Sequence, residues 1–446
     1  MKKNGWLGYL FYLCAYSLAS NSFFLLRFDL VFLALVIPAF LLVNVCAGLH
    51  RVSSPSLRLR ICFHGVEVLA IFAGSSLIGI LYHGALALYT AFFTAQPDWQ
   101  AFLWSLGVCA AMELILLWNG VVCIYLTSVQ LGIKLRIAGV LCGLIPVVNL
   151  IVPFLIIRTV YKEIRFESEK DALNAGRAAE RVCRTKYPIL LVHGVFFRDN
   201  RHLNYWGRIP GELERNGATI YYGKHQSAAS IEESAWEMKR RILEIVRETG
   251  CGKVNIIAHS KGGLDCRYAI GYLGVGEYVA SLTTINTPHR GCLFADYLLT
   301  KIPRWIQNEV ARAYNRTLKK LGDPAPSFLA AVYDLRAENC IRLDRELGVP
   351  EGIFCQSVGS RLNHASHGKF PMNFSFHLAR YFDGPNDGIV SDRSFRWGEE
   401  YYLLGSPGRR GVSHCDMIDL NRENIEGFDV REFYVWLVNG LKKKGL

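Results

Sequence analysis

Segment 258–263 places a serine among small residues and reads Ala258-His259-Ser260-Lys261-Gly262-Gly263. It matches the G-x-S-x-G pattern, with alanine in the first small position. Small residues are needed there because the chain turns sharply from a strand into a helix, which holds the serine backbone in a strained conformation. The turn lifts the hydroxyl clear of the sheet and leaves free helix N–H groups beneath it. We therefore predict Ser260 as a nucleophile; the alternative is a serine that only caps the helix.

Two backbone N–H donors must stabilise the oxyanion that forms when such a serine attacks a carbonyl. One follows the nucleophile, and the other comes from the loop after an earlier strand. The first donor is therefore predicted to be Lys261. His193-Gly194-Val195 closes an earlier apolar run, so Val195 is predicted as the second donor and His193 as a residue that orients the loop.

The acid and the base are sought farther along the chain, because the order on folds with this turn is serine, acid, histidine. His414 is the only histidine beyond the turn around Asp387, and it is predicted to take the proton of the serine. Asp387 is predicted to hold the imidazole tautomer. Asp383 and Asp392 are the alternative acids, and turn formation is the other role of all three aspartates.

The elements that must position these residues alternate along the chain. Apolar runs at 189–192, 253–258 and 279–285 are typical of buried parallel strands. Apolar residues recur at helical spacing over 230–248, and a second helical stretch separates the last two strands. The alternation predicts an α/β fold over 187–446, with a mostly parallel sheet and helices on both faces.

The first 157 residues have a different composition, with eight Lys or Arg and four Asp or Glu against 42 and 34 in the remainder. A fifth apolar stretch within 101–133 either contains Glu113 or starts just after it. Together these features predict an all-α transmembrane bundle of about five spans over 1–157. Four uncharged stretches reach or approach the about 20 residues that a spanning helix needs: 4–26, 30–50, 68–97 and 137–157.

Lysines and arginines in short loops predict the orientation of these spans. Five spans leave only Arg27 on one side, and they put a larger basic set on the other: Lys2, Lys3, Arg51, Arg58, Arg60, Lys134 and Arg136. This predicts a multi-pass protein of the cell membrane with an extracytoplasmic 187–446 domain. Arg158, Lys162 and Arg165 after the last span argue for the opposite side, as do the seven cysteines of the globular part. The first apolar run also fits a signal peptide.

Residues 158–186 are polar and helix-prone, which predicts a helical linker. The net charge of +12 follows no single basic stripe, so headgroups are favoured over nucleic acid as its partner. The 13 cysteines include no CxxC pair, which favours free thiols over disulfides or a metal site. Three ionisable residues lie at or within the predicted spans: Glu67, His83 and Glu113. We favour positions at span ends for the two glutamates and a neutral imidazole for His83 over a role in transport or in a proton relay.

Several segments carry a combined motif set: Thr185-Lys186-Tyr187-Pro188-Ile189 with the His193-Gly194 loop, Tyr205-Trp206, 254–260, Thr287-Pro288-His289-Arg290-Gly291 and 386–390. Together they resemble the true bacterial lipases of the Pseudomonas and Burkholderia type, in the α/β-hydrolase superfamily. The resemblance covers 185–424 and excludes the membrane part. It implies hydrolysis of acylglycerols at a lipid surface by Ser260, Asp387 and His414, with oxyanion donation from Val195 and Lys261.

The resemblance also implies features on which this sequence departs from the family. The family has glycine where Ala258 stands and binds a structural calcium near the catalytic histidine. Here Asp416 matches that ligand set, whereas Leu420 and Asn424 stand at later positions. No cofactor is required by the predicted chemistry. The family carries its lid where apolar residues recur at helical spacing over 294–335, and the alternative is an ordinary packed helix.

These observations predict a membrane-anchored serine lipase or esterase that hydrolyses lipid esters through an acyl-enzyme on Ser260. A thioesterase or an acyltransferase could use the same triad, because a thiol or an alcohol can also resolve the acyl-enzyme. A membrane sensor or transporter with a non-catalytic hydrolase domain is the alternative from another class. The expected partners are a lipid ester and the bilayer, with no nucleic acid and no obligate protein partner.

Overall fold

The computed structural model describes the chain except for residues 1–4, 50, 53, 95, 97, 143–147, 196–203, 227, 321 and 370–371. Lys2, Lys3 and three predicted span ends, at Asn4, His50 and Pro97, lie outside the described residues. The chain forms two compact units, Met1–Gly176 and Arg177–Leu446. The boundary falls inside the predicted linker, so most of that linker belongs to the first unit.

The first unit is helical. Two of its described helices are long and apolar enough to cross a membrane by length and composition, and Leu30–Cys46 is a shorter apolar helix. This test supports two crossings where the sequence predicts about five. The two long helices are α4 and α5 in the following order: α1 Gly5–Ser20, α2 Phe23–Phe28, α3 Leu33–Cys46, α4 Leu57–Phe93, α5 Trp99–Thr127, α6 Ile133–Cys142 and α7 Val148–Arg177.

The predicted span 137–157 is divided between two helices in the described residues, because α6 ends at Cys142 and α7 begins at Val148. The polar part of α7 packs on the segment that follows α5. Glu163 is buried, and its carboxylate accepts hydrogen bonds from Ser128 Oγ at 2.6 Å and from the Val129 and Gln130 amides at 3.1 Å. The predicted linker therefore begins as a docked helix.

The second unit is built on a parallel sheet with strand order β2-β1-β3-β4-β5-β6. Its strands are β1 Ile189–Val192, β2 Ile220–Tyr222, β3 Val254–His259, β4 Val279–Ile285, β5 Phe354–Ser360 and β6 Glu400–Leu404. Its helices are α8 Ile209–Arg215, α9 Ile231–Thr249, α10 Lys261–Tyr272, α11 Leu293–Lys301, α12 Arg304–Lys320, α13 Phe328–Asp334, α14 Ala337–Leu347, α15 Met372–Asp383 and α16 Val430–Lys443.

Alternate residues of the central strands enter two cores, as the period-two geometry of a strand requires. Leu191 and Ile257 pack with Leu213 of α8 in one core. Leu190 and Ile256 pack with residues of α9 and α10 in the other core. Helices thus cover both faces of a parallel sheet, which fits the α/β-hydrolase fold.

The predicted strands are present as β1, β3 and β4, and the predicted 230–248 helix is α9. Ser230 caps α9, because its side chain and that of Glu233 form a reciprocal capping box. The predicted lid region 294–335 contains α11, α12 and α13. Within it, Tyr314 of α12 stacks on Phe328 of α13 with ring centroids 4.6 Å apart.

We predict that Glu163→Ala destabilises the detergent-purified chain by about 2 to 3 kcal/mol, because it leaves buried donors without an acceptor. Arg58, which pairs with Glu163 at 2.6 Å, also loses its ion-pair partner. Glu169→Ala on the same helix is the control, since that exposed carboxylate pairs, within the described part of the chain, with the exposed Arg165 alone. Thermal unfolding measures both variants, and an equal effect of the two would show that α7 is not docked through Glu163.

Candidate active site

Ser260 links strand β3 to helix α10 through a left-handed turn. Its backbone has φ 55° and ψ −132°, a conformation that non-glycine residues rarely adopt. The Ser260 N–H donates to the Ile285 carbonyl at 2.8 Å, and its own carbonyl accepts from Thr287 Oγ1 at 2.8 Å. The side chain remains partly exposed. The strained turn predicted from the small residues is thus present, and it presents the hydroxyl above the sheet.

Two glycines allow neighbouring backbone to approach this turn. A Cβ added to Gly262 would collide with the carbonyl oxygen of His193 at the end of β1. A Cβ added to Gly194 would lie 2.7 Å from Cβ of Ser260. The His193 carbonyl is backbone, and the position of Cβ of Ser260 is set by its backbone, so neither atom can move aside as the end of a flexible side chain can. Both positions therefore require glycine. The loop after β1 consequently lies directly against the serine.

The structure brings the predicted acid and base together. His414 Nδ1 lies 2.6 Å from Asp387 Oδ2, and the His414 N–H donates to the Asp387 carbonyl at 2.9 Å. Asp387 is fully buried, and its Oδ1 accepts from the Ile389 and Val390 amides at 3.0 and 2.8 Å. These hydrogen bonds fix the carboxylate and orient its other oxygen toward the imidazole.

A further residue of this cluster escaped the sequence reasoning. Asn286 follows β4 with φ 46°, and it is fully buried. Its Nδ2 donates to Asp387 Oδ2 at 2.6 Å and to Ser360 Oγ at 2.7 Å. Asn286 therefore fixes the same carboxylate oxygen that faces His414. The only signal in the sequence is an asparagine at the end of a predicted strand, which does not indicate this contact.

The two alternative acids have other partners. Asp392 pairs with Arg361. Asp383 Oδ1 accepts from the Leu293 amide at 3.3 Å. Among the three aspartates, Asp387 is thus the one in contact with His414.

His414 lies against the residue that precedes the serine. The rings of His259 and His414 are 4.4 Å apart between centroids. Burial, together with the nearby His414, lowers the pKa of His259 well below its ordinary value, so His259 stays neutral. His259 Nδ1 lies 2.7 Å from Tyr205 OH. No hydrogen bond joins Ser260 Oγ to His414 within the described residues, and this contact commonly tightens only when substrate binds.

The two predicted oxyanion donors flank the serine from different elements. Tyr205 OH accepts the Gly194 N–H at 3.0 Å, whereas the Val195 N–H has no acceptor among the described residues. Lys261 is the first residue of α10, where helix N–H groups have no partner within the helix. Its side chain is buried and pairs with Asp265 at 2.6 Å, so the two backbone amides are what Lys261 and Val195 offer to a ligand.

The other predicted or nearby histidines are held by the fold. His193 stacks on His225 with centroids 3.8 Å apart and contacts the His225 carbonyl at 3.2 Å. His289 is buried between Arg267 and Thr284, with contacts of 3.0 Å to each. Burial and the adjacent guanidinium lower the pKa of His289 well below its ordinary value.

The surroundings of Asp416 do not fit the calcium that the family resemblance implies. The Asp416 carboxylate accepts from the Ser413 N–H and hydroxyl, each at 2.8 Å, and from Arg410 at 3.0 Å. Asn424 Oδ1 accepts from Arg208 at 2.8 Å, and Leu420 has no side-chain oxygen. Within the described part of the chain, no group of three or more His, Cys, Asp or Glu is arranged to hold a metal ion. A guanidinium thus neutralises Asp416.

Comparisons with known proteins identify relatives of the second unit. The family model "Putative serine esterase (DUF676)" matches residues 190–324. A triacylglycerol lipase of Burkholderia plantarii is 36% identical over 148 residues, which are 31% of this chain and 41% of that enzyme. A triacylglycerol lipase of Vibrio cholerae is 28% identical over 289 residues, which are 59% of this chain and 90% of that enzyme.

Among solved structures, a Bacillus licheniformis lipase in its mature form is 20% identical, with a TM-score of 0.40 over 53% of this chain and 88% of that one. The chain spans less than half of the Burkholderia enzyme. The family match includes Ser260 but ends before Asp387 and His414. The sequence relatives support a lipase-like serine ester hydrolase.

We predict that calcium does not contribute to stability. Thermal unfolding of the purified chain should give the same midpoint in excess EGTA and in millimolar calcium, because Arg410 already neutralises Asp416. Arg410→Met should lower the midpoint, since it leaves a buried carboxylate with fewer partners. Arg409→Met, at an exposed position, is the matched control. A midpoint that falls in EGTA and recovers with calcium would contradict this assignment.

Proposed function

We propose that the chain is a membrane-anchored serine lipase or esterase that hydrolyses lipid esters with the triad Ser260, Asp387 and His414. The observation that carries the proposal is the buried Asp387 carboxylate at 2.6 Å from His414 Nδ1, beside a serine in a strained left-handed turn. A helix cap needs neither the strain nor the buried acid. The relatives named as triacylglycerol lipases support ester substrates.

Acylation begins when Ser260 Oγ attacks the ester carbonyl. His414 takes the hydroxyl proton, and Asp387 keeps Nδ1 protonated so that Nε2 is the basic nitrogen. The developing oxyanion accepts hydrogen bonds from the backbone N–H groups of Val195 and Lys261. Collapse of the tetrahedral intermediate breaks the ester bond, and the imidazolium gives its proton to the departing alcohol.

Deacylation repeats these steps with water as the nucleophile. His414 takes a proton from water, the hydroxide attacks the acyl carbon, and Ser260 leaves with the proton returned by the imidazolium. The product is a carboxylic acid. No metal takes part in any step of this proposal.

Helix α12 supports a lipid as the source of the ester. Helix α12 lies in the region of the predicted lid, and it exposes Trp305 while burying Ala311 and Leu318. Such an amphipathic helix can cover an acyl groove and contact a lipid surface. We also propose that the chain is a lipase of the Pseudomonas and Burkholderia type.

The membrane anchor is proposed from the first unit. Helices α4 and α5 have the length and composition of spanning helices, and apolar side chains on their outer faces are exposed, among them Leu81, Phe92, Leu103 and Leu126. A bilayer would cover those side chains. The partners of this proposal are thus a lipid ester and the membrane, without nucleic acid.

We predict that Ser260→Ala abolishes both labelling by a fluorophosphonate and hydrolysis of long-chain p-nitrophenyl esters by the detergent-purified chain. Asp387→Asn should lower kcat by about 10⁴-fold, because the imidazole then adopts the wrong tautomer. Asp392→Asn is the matched control and should leave kcat unchanged.

Fluorophosphonate labelling that persists in Ser260→Ala would overturn the assignment of Ser260 as the nucleophile. Equal losses of kcat in the Asp387 and Asp392 variants would overturn the assignment of Asp387 as the acid of the triad. An intact fluorophosphonate label without ester hydrolysis would redirect the proposal to acyl transfer, since another acceptor would then resolve the acyl-enzyme.

A further inference from the structure

We infer that the chain leaves its membrane helices on the cytoplasmic side, so that residues 177–446 hydrolyse esters presented by the cytoplasmic leaflet. The inference deepens the proposed function and rests on its membrane anchor and its hydrolase activity. It reverses the extracytoplasmic placement that five spans predict. The reversal comes from the course of α6 and α7.

Polar contacts between α4 and α5 define two ends of the first unit. Arg58, near the start of α4, donates to the carbonyl of Thr127 at the end of α5 at 2.8 Å. His83, farther along α4, contacts Ser105 Oγ near the start of α5 at 3.1 Å. The two helices are therefore antiparallel. We call the end at Arg58 and Thr127 the basic end, and the end at Asp98 the opposite end.

Helices α1 and α2 run toward the opposite end. Tyr9 OH, early in α1, donates to the Ala70 carbonyl in the first half of α4 at 3.1 Å. Arg27 of α2 pairs with Asp98 at 2.7 Å. These contacts place the start of α1 nearer the basic end and the close of α2 at the opposite end.

Helix α3 returns to the basic end. Asn119 of α5 donates to the Asn44 carbonyl at 2.8 Å, and His64 near the start of α4 contacts the Ala47 carbonyl at 2.7 Å. The chain thus passes along the unit four times, through α1 with α2, α3, α4 and α5. After an even number of passages it is again at the basic end.

Helices α6 and α7 leave the basic end and return to it. Arg136 of α6 donates to the Ser128 carbonyl at 2.7 Å, and the ten residues of α6 extend about 15 Å, half of a hydrocarbon core of about 30 Å. Glu163 of α7 accepts from Arg58 and from Ser128 Oγ, each at 2.6 Å. The segment from Val148 to Glu163 extends about 22 Å and finishes at the basic end, so α6 and α7 together add no net passage.

The rest of α7 stays at that end. Asp171 Oδ2 accepts from Ser54 Oγ at 2.5 Å, and Ser54 belongs to the segment that joins α3 to α4 at the basic end. Helices α6 and α7 therefore enter and leave the bilayer on one side. The chain reaches Gly176 on the side from which α4 starts.

The charges identify this side as cytoplasmic, because short cytoplasmic loops carry the excess of Lys and Arg. The opposite end holds Arg27, which Asp98 neutralises. The described cysteines are all free thiols, as expected in a reducing compartment. Five basic residues lie at or beside the basic end: Arg51, Arg58, Arg60, Lys134 and Arg136.

The test is protease protection of the full-length chain in bacterial membranes. One version carries an epitope tag after Leu446, and a second carries it after Thr94, between α4 and α5. In intact spheroplasts, added trypsin should spare the tag after Leu446 and remove the tag after Thr94. In inverted vesicles the result should be the reverse.

Loss of both tags from intact spheroplasts would overturn the inference, because five crossings give that pattern. Release of the chain from membranes by alkaline carbonate would overturn the anchor and the inference with it. Ester hydrolysis by each tagged protein in detergent, with its Ser260→Ala form as control, reports the hydrolase separately. A protected tag on an inactive chain would thus contradict the proposed activity and support the sidedness.

Discussion

The left-handed turn at Ser260 is the constraint on which the candidate site depends. A non-glycine residue in that conformation costs about 1 to 3 kcal/mol, and it persists only where surrounding structure fixes it. Here the Ile285 carbonyl and Thr287 Oγ1 hold the turn from the neighbouring strand. Glycine at positions 194 and 262 lets the loop after β1 close over it. One strained residue therefore dictates the small side chains on both sides of the serine.

The buried acid, Asp387, is the second feature on which the candidate site depends, and the sheet positions it through its hydrogen-bond donors. Four donors surround the Asp387 carboxylate, and they come from His414, Asn286 and the turn that contains Asp387 itself. Asn286 follows β4, which lies immediately beside β3, the strand that leads to the serine. The same pair of adjacent parallel strands thus positions the nucleophile and, through one amide, the acid. Carboxyl ends of parallel strands commonly gather functional groups in this manner.

Local pattern in the sequence predicts β1, β3, β4 and α9 because buried strands and amphipathic helices have short periods. The turn at Ser260 is predictable for the same reason. Asn286 is not, since its partner lies 101 residues away, and neither are the short or mixed strands β2, β5 and β6. Hydropathy identifies 137–157 as apolar, but it does not show whether the chain crosses the membrane there or turns back. Only the contacts of Glu163 with Arg58 and Ser128 reveal that the chain turns back.

Mass spectrometry can show directly whether an acyl-enzyme forms on Ser260. The purified chain would be mixed with a slowly hydrolysed ester, quenched in acid and digested with trypsin, which cuts after Lys253 and Lys261. The resulting peptide 254–261 contains Ser260 and no other hydroxyl side chain. We expect this peptide to gain the mass of the acyl group and to lose it as turnover ends. Ester turnover with the acyl group on another peptide, or on none, would contradict this expectation.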